Sequence, residues 1–362
     1  MMRRSGGALS RIAVTVAAFA VASAGCAGPN AAPAARPKPE RVDAPQDGLV
    51  FHGKSIRDYD HDLPDVDAIG YDADIAIDEA HTGHETFRAT MIGSFIATRP
   101  LTALPLDFEG NEIDGVSVGT TAARYHREGA RVTIDLPGRV ETGRALVVTI
   151  RYRGHFFQAN PALRDDFRGY GGFMALQKNR AGKKIYSTLN WPYKARRWLP
   201  LRDHPSDGAM WSVRATFPSA YAVVSNGALK ASKPNGDGTT SWQYEALDPM
   251  PVYDFYLGAY DGWVERSFVA ASGIKGSYRA YTSDATAARS LLGDIGAAMD
   301  FYETTFGPFR WDHAGFLEVP IFHGGMEHAT VVGLDESLFD DARSSRRVAF
   351  HELAHHWSGN LV

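Results

Sequence analysis

The segment Val348-Ala-Phe-His-Glu-Leu-Ala-His-His-Trp-Ser-Gly-Asn-Leu-Val362 governs how the rest of the sequence is read. Val348 to Trp357 contains no Gly or Pro, and a helix is predicted there. On a helix, positions i and i+4 share one face about 5–6 Å apart. His351 and His355 can therefore grip a single tetrahedral Zn²⁺. Glu352, one step round from His351, is placed to act on water rather than to ligate, which is the division of labour that metal-assisted hydrolysis needs. The competing reading is a coincidental pair of histidines on a surface helix, and the residues upstream weigh against it.

The composition is that of a folded protein, with 44% hydrophobic and 22% charged residues over 362 positions, enough for two domains. Lys and Arg number 38 against 42 Asp and Glu, so no basic excess points to nucleic acid. Residues 1–26 read as an export signal. Arg3, Arg4 and Arg11 form a charged region, and Ile12 to Ala24 an apolar one too short to span a bilayer comfortably. Cys26, the sole cysteine, follows Ser23-Ala24-Gly25 and looks like the lipidated cysteine of a bacterial lipoprotein, although Ser23 stands where an aliphatic residue is usual. The expectation is an exported, cell-envelope protein held to a membrane by a lipid anchor at Cys26. Residues 27–48, rich in Ala and Pro, read as a tether.

From 49 to 263, alternation dominates. Asp74–Asp78, Thr86–Met91, Arg131–Leu136 and Ala145–Tyr152 read as strands, with turns at Glu109-Gly110-Asn111, Arg127-Glu128-Gly129 and Pro234–Gly238. This predicts an antiparallel β domain of sandwich or saddle form. The aromatic and basic stretch from Thr188 to Pro205 reads as a buried aromatic corner with solvated arginines, in which Arg196 can pair with Asp203. From 264 on, two strands precede a helix over Thr286–Phe306, with Asp284 as its N-cap and Gly307-Pro308 as its stop. An edge strand around Gly324-Gly325-Met326 would hold an extended peptide by its main chain.

At these residues the chain resembles the M1 family of zinc aminopeptidases. Gly324-Gly325-Met326-Glu327-His328 is similar to the family's G-A-M-E-N motif, and His351 follows Glu327 by 24 residues, the family's spacing. Phe306-Gly307-Pro308-Phe309, Glu318-Val319-Pro320, Ser225-Asn226-Gly227 and Asn360-Leu361-Val362 fit the same pattern. The resemblance implies a β-rich N-terminal saddle followed, over 264–362, by the first part of an α+β thermolysin-like catalytic domain. It also implies one Zn²⁺ on His351 and His355, Glu352 as general base, Glu327 binding the free amine of a peptide, and Gly324, Gly325 and Met326 aligning the substrate.

Two departures bear on function. The family's second amine-binding carboxylate, in a T-Q-x-E pattern, has become Thr188-Leu189-Asn190-Trp191, so amine recognition would fall on Glu327 alone. The family's third zinc ligand, a Glu nineteen residues after the second His, would fall beyond Val362 and is absent from this sequence. A second reading is therefore kept beside the aminopeptidase: a truncated, non-catalytic exported binding module or a fragment.

Overall fold

The computed structural model describes residues 66–77, 86–157, 170–176 and 178–360, together with the two short strands Val50–Phe51 and Lys54–Ser55. The described residues belong to one compact unit spanning 42–362. The signal, Cys26 and the tether lie outside the described residues.

The largest sheet has eight strands. Its order is Ala228–Pro234, Thr239–Pro251, Gly208–Pro218, Val66–Ile77, Thr86–Ala97, Ala145–His155, Glu112–Val118 and Thr121–Ala122. Strand alternation appears as period-two burial: in Thr86–Ala97, Phe87, Ala89 and Met91 face the core while Arg88 and Ile92 face out. Gly208–Pro218 pairs in parallel with Val66–Ile77, the exception to an otherwise antiparallel sheet. A parallel partner needs a long crossover, and here the chain lays down four more strands of this sheet and visits two smaller sheets before it reaches Gly208–Pro218. These are Leu101–Asp107, Arg131–Val140 and Tyr125–Glu128, and the four-stranded set that begins with Gly172–Leu176 and Ile185–Leu189. Trp198, Trp211, Phe173 and Phe255 fill the space between. Trp211 stacks on Phe255 with ring centroids 4.7 Å apart.

The corner after Ile185–Leu189 differs from expectation in one respect. Trp198 is buried as predicted, but the arginines are engaged rather than solvated. Arg196 Nε lies 2.8 Å from Oδ2 of Asp203, whose side chain has no exposure. Arg202 Nε lies 2.9 Å from Asp207, equally buried. Burial pushes the Asp203 carboxyl up to about 6, while its bonds from Arg196 pull it down.

A mixed five-stranded sheet follows, ordered Trp263–Val269, Lys275–Tyr281, His313–Val319, Val331–Asp335 and Gly325–Met326. The single helix expected over Thr286–Phe306 is two, Ala285–Leu292 and Ile295–Phe306. Gly293, the poorest helix former after Pro, ends the first, and Asp294 caps the second by position. Asp284 sits at the predicted N-cap position, yet its side chain makes no cap bond. It accepts from Ser283 Oγ at 3.1 Å and faces Arg180 at 3.7 Å. The last helix, Ala342–Ala354, packs Ala349 and Leu353 inward and carries the two histidines on its other side.

Candidate active site

Helical geometry brings His351 and His355 together as their spacing predicts. Their Nε2 atoms are 3.1 Å apart, with the rings at 89° to each other. A tetrahedral zinc with Zn–N bonds of about 2.0–2.1 Å sets its nitrogens roughly 3.3 Å apart. The pair is therefore held at nearly the separation that one shared zinc requires. His355 Nδ1 meets the carbonyl of Ser358 at 3.0 Å. A proton held there leaves the Nε2 lone pair for a metal.

Gly359 makes that contact possible. Its φ is +134°, and a Cβ there would stand 2.8 Å from His355 Nδ1. Gly359→Ala is expected to weaken zinc affinity about 10–100-fold, the range for disturbed support of a metal ligand. Competition with a chelator of known affinity measures it. An unchanged zinc affinity would show that the ring is held in place by other contacts.

Glu327, Glu352 and His355 form a second set of candidate ligands, their donor atoms all within 4.8 Å of one another. That spread is wider than the roughly 3.3 Å of a tetrahedral site, so the two histidines are the better zinc pair. Glu352 is buried against Gly325: a Cβ on Gly325 would lie 2.3 Å from Glu352 Cγ. The family's Ala would meet Glu352 as it is placed here, and glycine leaves it room. Burial, and after it the charge of Glu327, pushes the Glu352 carboxyl up to about 8.

Glu327 follows the edge strand Gly325–Met326, which pairs with Val331–Asp335 as expected of a peptide-binding edge. Two contacts fix it. Tyr253, from the β-rich block, donates its hydroxyl to Glu327 Oε1 at 3.1 Å. Asn360 Nδ2 donates to the Glu327 carbonyl at 2.7 Å. The sequence reading missed both. Asn360 carried the signal of the family's continuation, whereas Tyr253 lies 74 residues away in sequence and carries no local signal.

Glu327, Glu352 and both histidines line one groove of about 700 Å³, together with Gly324 to Met326, Phe322, Trp191 and Arg347. Trp191, in the place of the family's second carboxylate, therefore stands in the groove with Glu327. His356 points away from it into the core, where Thr330 N donates to its Nε2 at 3.0 Å. Thr330 has a φ of +67°, and its Oγ1 accepts from Gly227 N at 2.7 Å. Burial lowers the pKa of His356 to about 4 and that of His328 to about 3, so both rings are neutral, in keeping with a structural role.

Residues 71–253 match the family model of the peptidase M1 N-terminal domain. A β-rich block of this type, followed by the paired histidines and Glu327, defines the class. The chain belongs to the M1 peptidase family. It is 30% identical over 173 residues to leucine aminopeptidase 2 of Pyricularia oryzae, covering 46% of this chain and 27% of that protein. It is 26% identical over 250 residues to human endoplasmic reticulum aminopeptidase 1, covering 66% of this chain and 26% of that protein. The chain thus spans about a quarter of the length of these curated relatives. Its fold is similar to that of an M1 zinc metallopeptidase from Deinococcus radiodurans, with a TM-score of 0.68 and 20% identity over 82% of this chain and 65% of that one. A mutant of that protein bound to a Tyr-Ser-Ala substrate has a TM-score of 0.70 at 21% identity, covering 82% and 66%.

Proposed function

We propose that the protein is a zinc aminopeptidase that removes the first residue of peptides with a free N-terminus. The observation that carries this reading is the pair of Nε2 atoms 3.1 Å apart, with a Glu327 carboxylate oxygen within 4.8 Å of donor atoms of His355 and Glu352. His351 and His355 would hold the ion. Bound there, a zinc ion would supply Lewis-acid chemistry to the scissile carbonyl and to the attacking water. A cation on the histidine pair would offset the burial that raises Glu352 and keep its carboxylate ionised, so that it takes the proton of the attacking water and passes it to the departing amine. Glu327, steadied by Tyr253, holds the α-ammonium, while the main chain of Gly324 to Met326 keeps the peptide extended. An internal peptide bond offers no ammonium to Glu327, which confines cleavage to the first bond. The related protein with Tyr-Ser-Ala bound supports short peptides as substrates.

Glu327→Gln in the full-length protein is expected to lose about 1.5–3 kcal/mol of binding to free-amine substrates, the contribution of a charged hydrogen bond. N-acetylated peptides should be poor substrates of the wild type. Equal turnover of free and blocked peptides would exclude Glu327 as the amine anchor.

We further propose residues 1–26 as an export signal, the zinc-binding domain as starting near 264, and Cys26 as the site of a lipid anchor in the cell envelope. A labelled fatty acid should mark the wild type and spare Cys26→Ser. Equal labelling of both would remove the anchor but leave export standing.

A further inference from the structure

One charged groove residue has no part in this reaction. Arg347 lines the groove with Glu327, His351 and His355, and it is exposed. Its neighbour Arg346 is tied down, with Nε donating to the Ser290 carbonyl at 2.6 Å and a guanidinium nitrogen on Asp294. Arg347 makes no hydrogen bond or ion pair among the described residues. Its side chain lines the groove as an unengaged cation.

The helix sets its distance from the reacting centre. Arg347, His351 and His355 are spaced i, i+4, i+8 along Ala342–Ala354 and its C-cap, and so share a face. At 1.5 Å rise per residue, Arg347 lies about 6 Å along the axis from His351 and about 12 Å from His355. Side chains lean toward the helix N-terminus, which carries the guanidinium further from the metal pair. Glu327 belongs to the opposite end. Its carboxylate is within 4.8 Å of the His355 donor atom, and its carbonyl is bonded to Asn360, beyond the last turn. Along the helix face the anion therefore stands beside Glu352 and His355, and the cation lies one to two turns toward the helix N-terminus. An extended peptide advances about 3.3–3.6 Å per residue, so about 12 Å corresponds to three or four residues. A chain held by its amine at one end brings a carboxylate within reach of the guanidinium at the other.

We propose that Arg347 is a carboxylate-binding subsite on the leaving-group side of the groove, which favours substrates with a carboxylate two or three residues beyond the cleaved bond. The planar fork of arginine pairs with carboxylate in bidentate fashion. Two groups can supply that carboxylate: the C-terminus of a tri- or tetrapeptide, or an acidic side chain within a longer one. The inference rests on the aminopeptidase reading for the direction of the peptide.

The test is calorimetric binding to full-length, zinc-loaded protein carrying Glu352→Gln, with and without Arg347→Gln or Arg347→Lys. The ligands are Leu-Ala-Ala, its C-terminal amide, and the amide of Leu-Ala-Asp. With arginine at 347, at least one of the two carboxylate ligands should bind ten-fold or more tightly than the plain amide. Arg347→Gln should bring that ratio close to one, and Arg347→Lys should restore part of it. A preference for the free acid alone identifies the C-terminus as the source, and a preference for Leu-Ala-Asp amide identifies an acidic side chain. A ratio near one with arginine in place, or an equal ratio in Arg347→Gln, overturns the subsite. Hydrolysis of Leu-Ala-Ala by the wild type is recorded separately, and its failure would count against the aminopeptidase reading while the affinity ratios still decide the role of Arg347.

Discussion

Glu352→Gln in the full-length protein is expected to lower kcat by about 10²–10⁴-fold, the range for loss of a positioned acid–base group. Zinc content should stay the same. Gln keeps the volume of Glu352 in its buried place against Gly325 but cannot take the proton of the attacking water. The proposed ligands are the Nε2 atoms of His351 and His355, so the metal does not depend on residue 352. Zinc stoichiometry after dialysis and turnover of an aminoacyl fluorogenic substrate, measured on the same preparation, separate the two roles. A variant that keeps more than a tenth of the wild-type kcat would show that another group takes the proton. A variant that loses its zinc would make Glu352 a ligand, in line with the alternative set Glu327, Glu352 and His355.

The largest effect on stability is expected at Arg196. Asp203 is fully buried, and its Oδ2 accepts from Arg196 Nε at 2.8 Å and from Arg196 N at 3.2 Å. Arg196→Met removes the charge partner and leaves the carboxyl in the core, a change that typically costs about 3–5 kcal/mol. The sign of the pH dependence follows from the proton balance. In the wild type the carboxyl is already raised from 3.8 to about 6, so between those values the folded chain holds a proton that the unfolded chain has lost. Stability falls as pH rises across that window. Without Arg196 the folded-state value rises further and the window extends upward. Denaturant unfolding should therefore show a larger deficit at pH 8 than at pH 5. A loss below 1 kcal/mol at pH 8, or a deficit that shrinks with rising pH, would mean that the pair adds little.

What could be read in advance follows from how local each signal is. The His351–His355 pair is a single-turn property, and the structure places the two rings as the spacing dictates. Gly325-Met326 was legible as an edge strand because two glycines precede a methionine and an acid. The strands Thr86–Ala97 and Ala145–His155 declared themselves by alternation. The parallel pairing of Gly208–Pro218 did not, since register between segments far apart leaves no local mark. The helix break at Gly293 was hidden because Leu291, Leu292, Ile295 and Met299 keep an apolar face across it. Tyr253 was out of reach for the same reason as the parallel strand: its partner is set by the tertiary fold. Trp191 is a middle case, where a departure from the family's pattern marked the position and the structure placed it in the groove.

The turn at Thr330 has a thermodynamic consequence. Its N–H is bonded to His356, next to a proposed ligand, and its hydroxyl holds Gly227 of the β-rich block, 103 residues earlier in the chain. Its left-handed backbone is unusual for a β-branched residue and persists because both partners hold it. Coupling through such a joint is reciprocal. Whatever free energy the joint lends to metal binding, an occupied site returns to the joint in equal measure. On binding its metal the protein would then gain resistance to unfolding in the β-rich block, through a joint that is itself no proposed ligand.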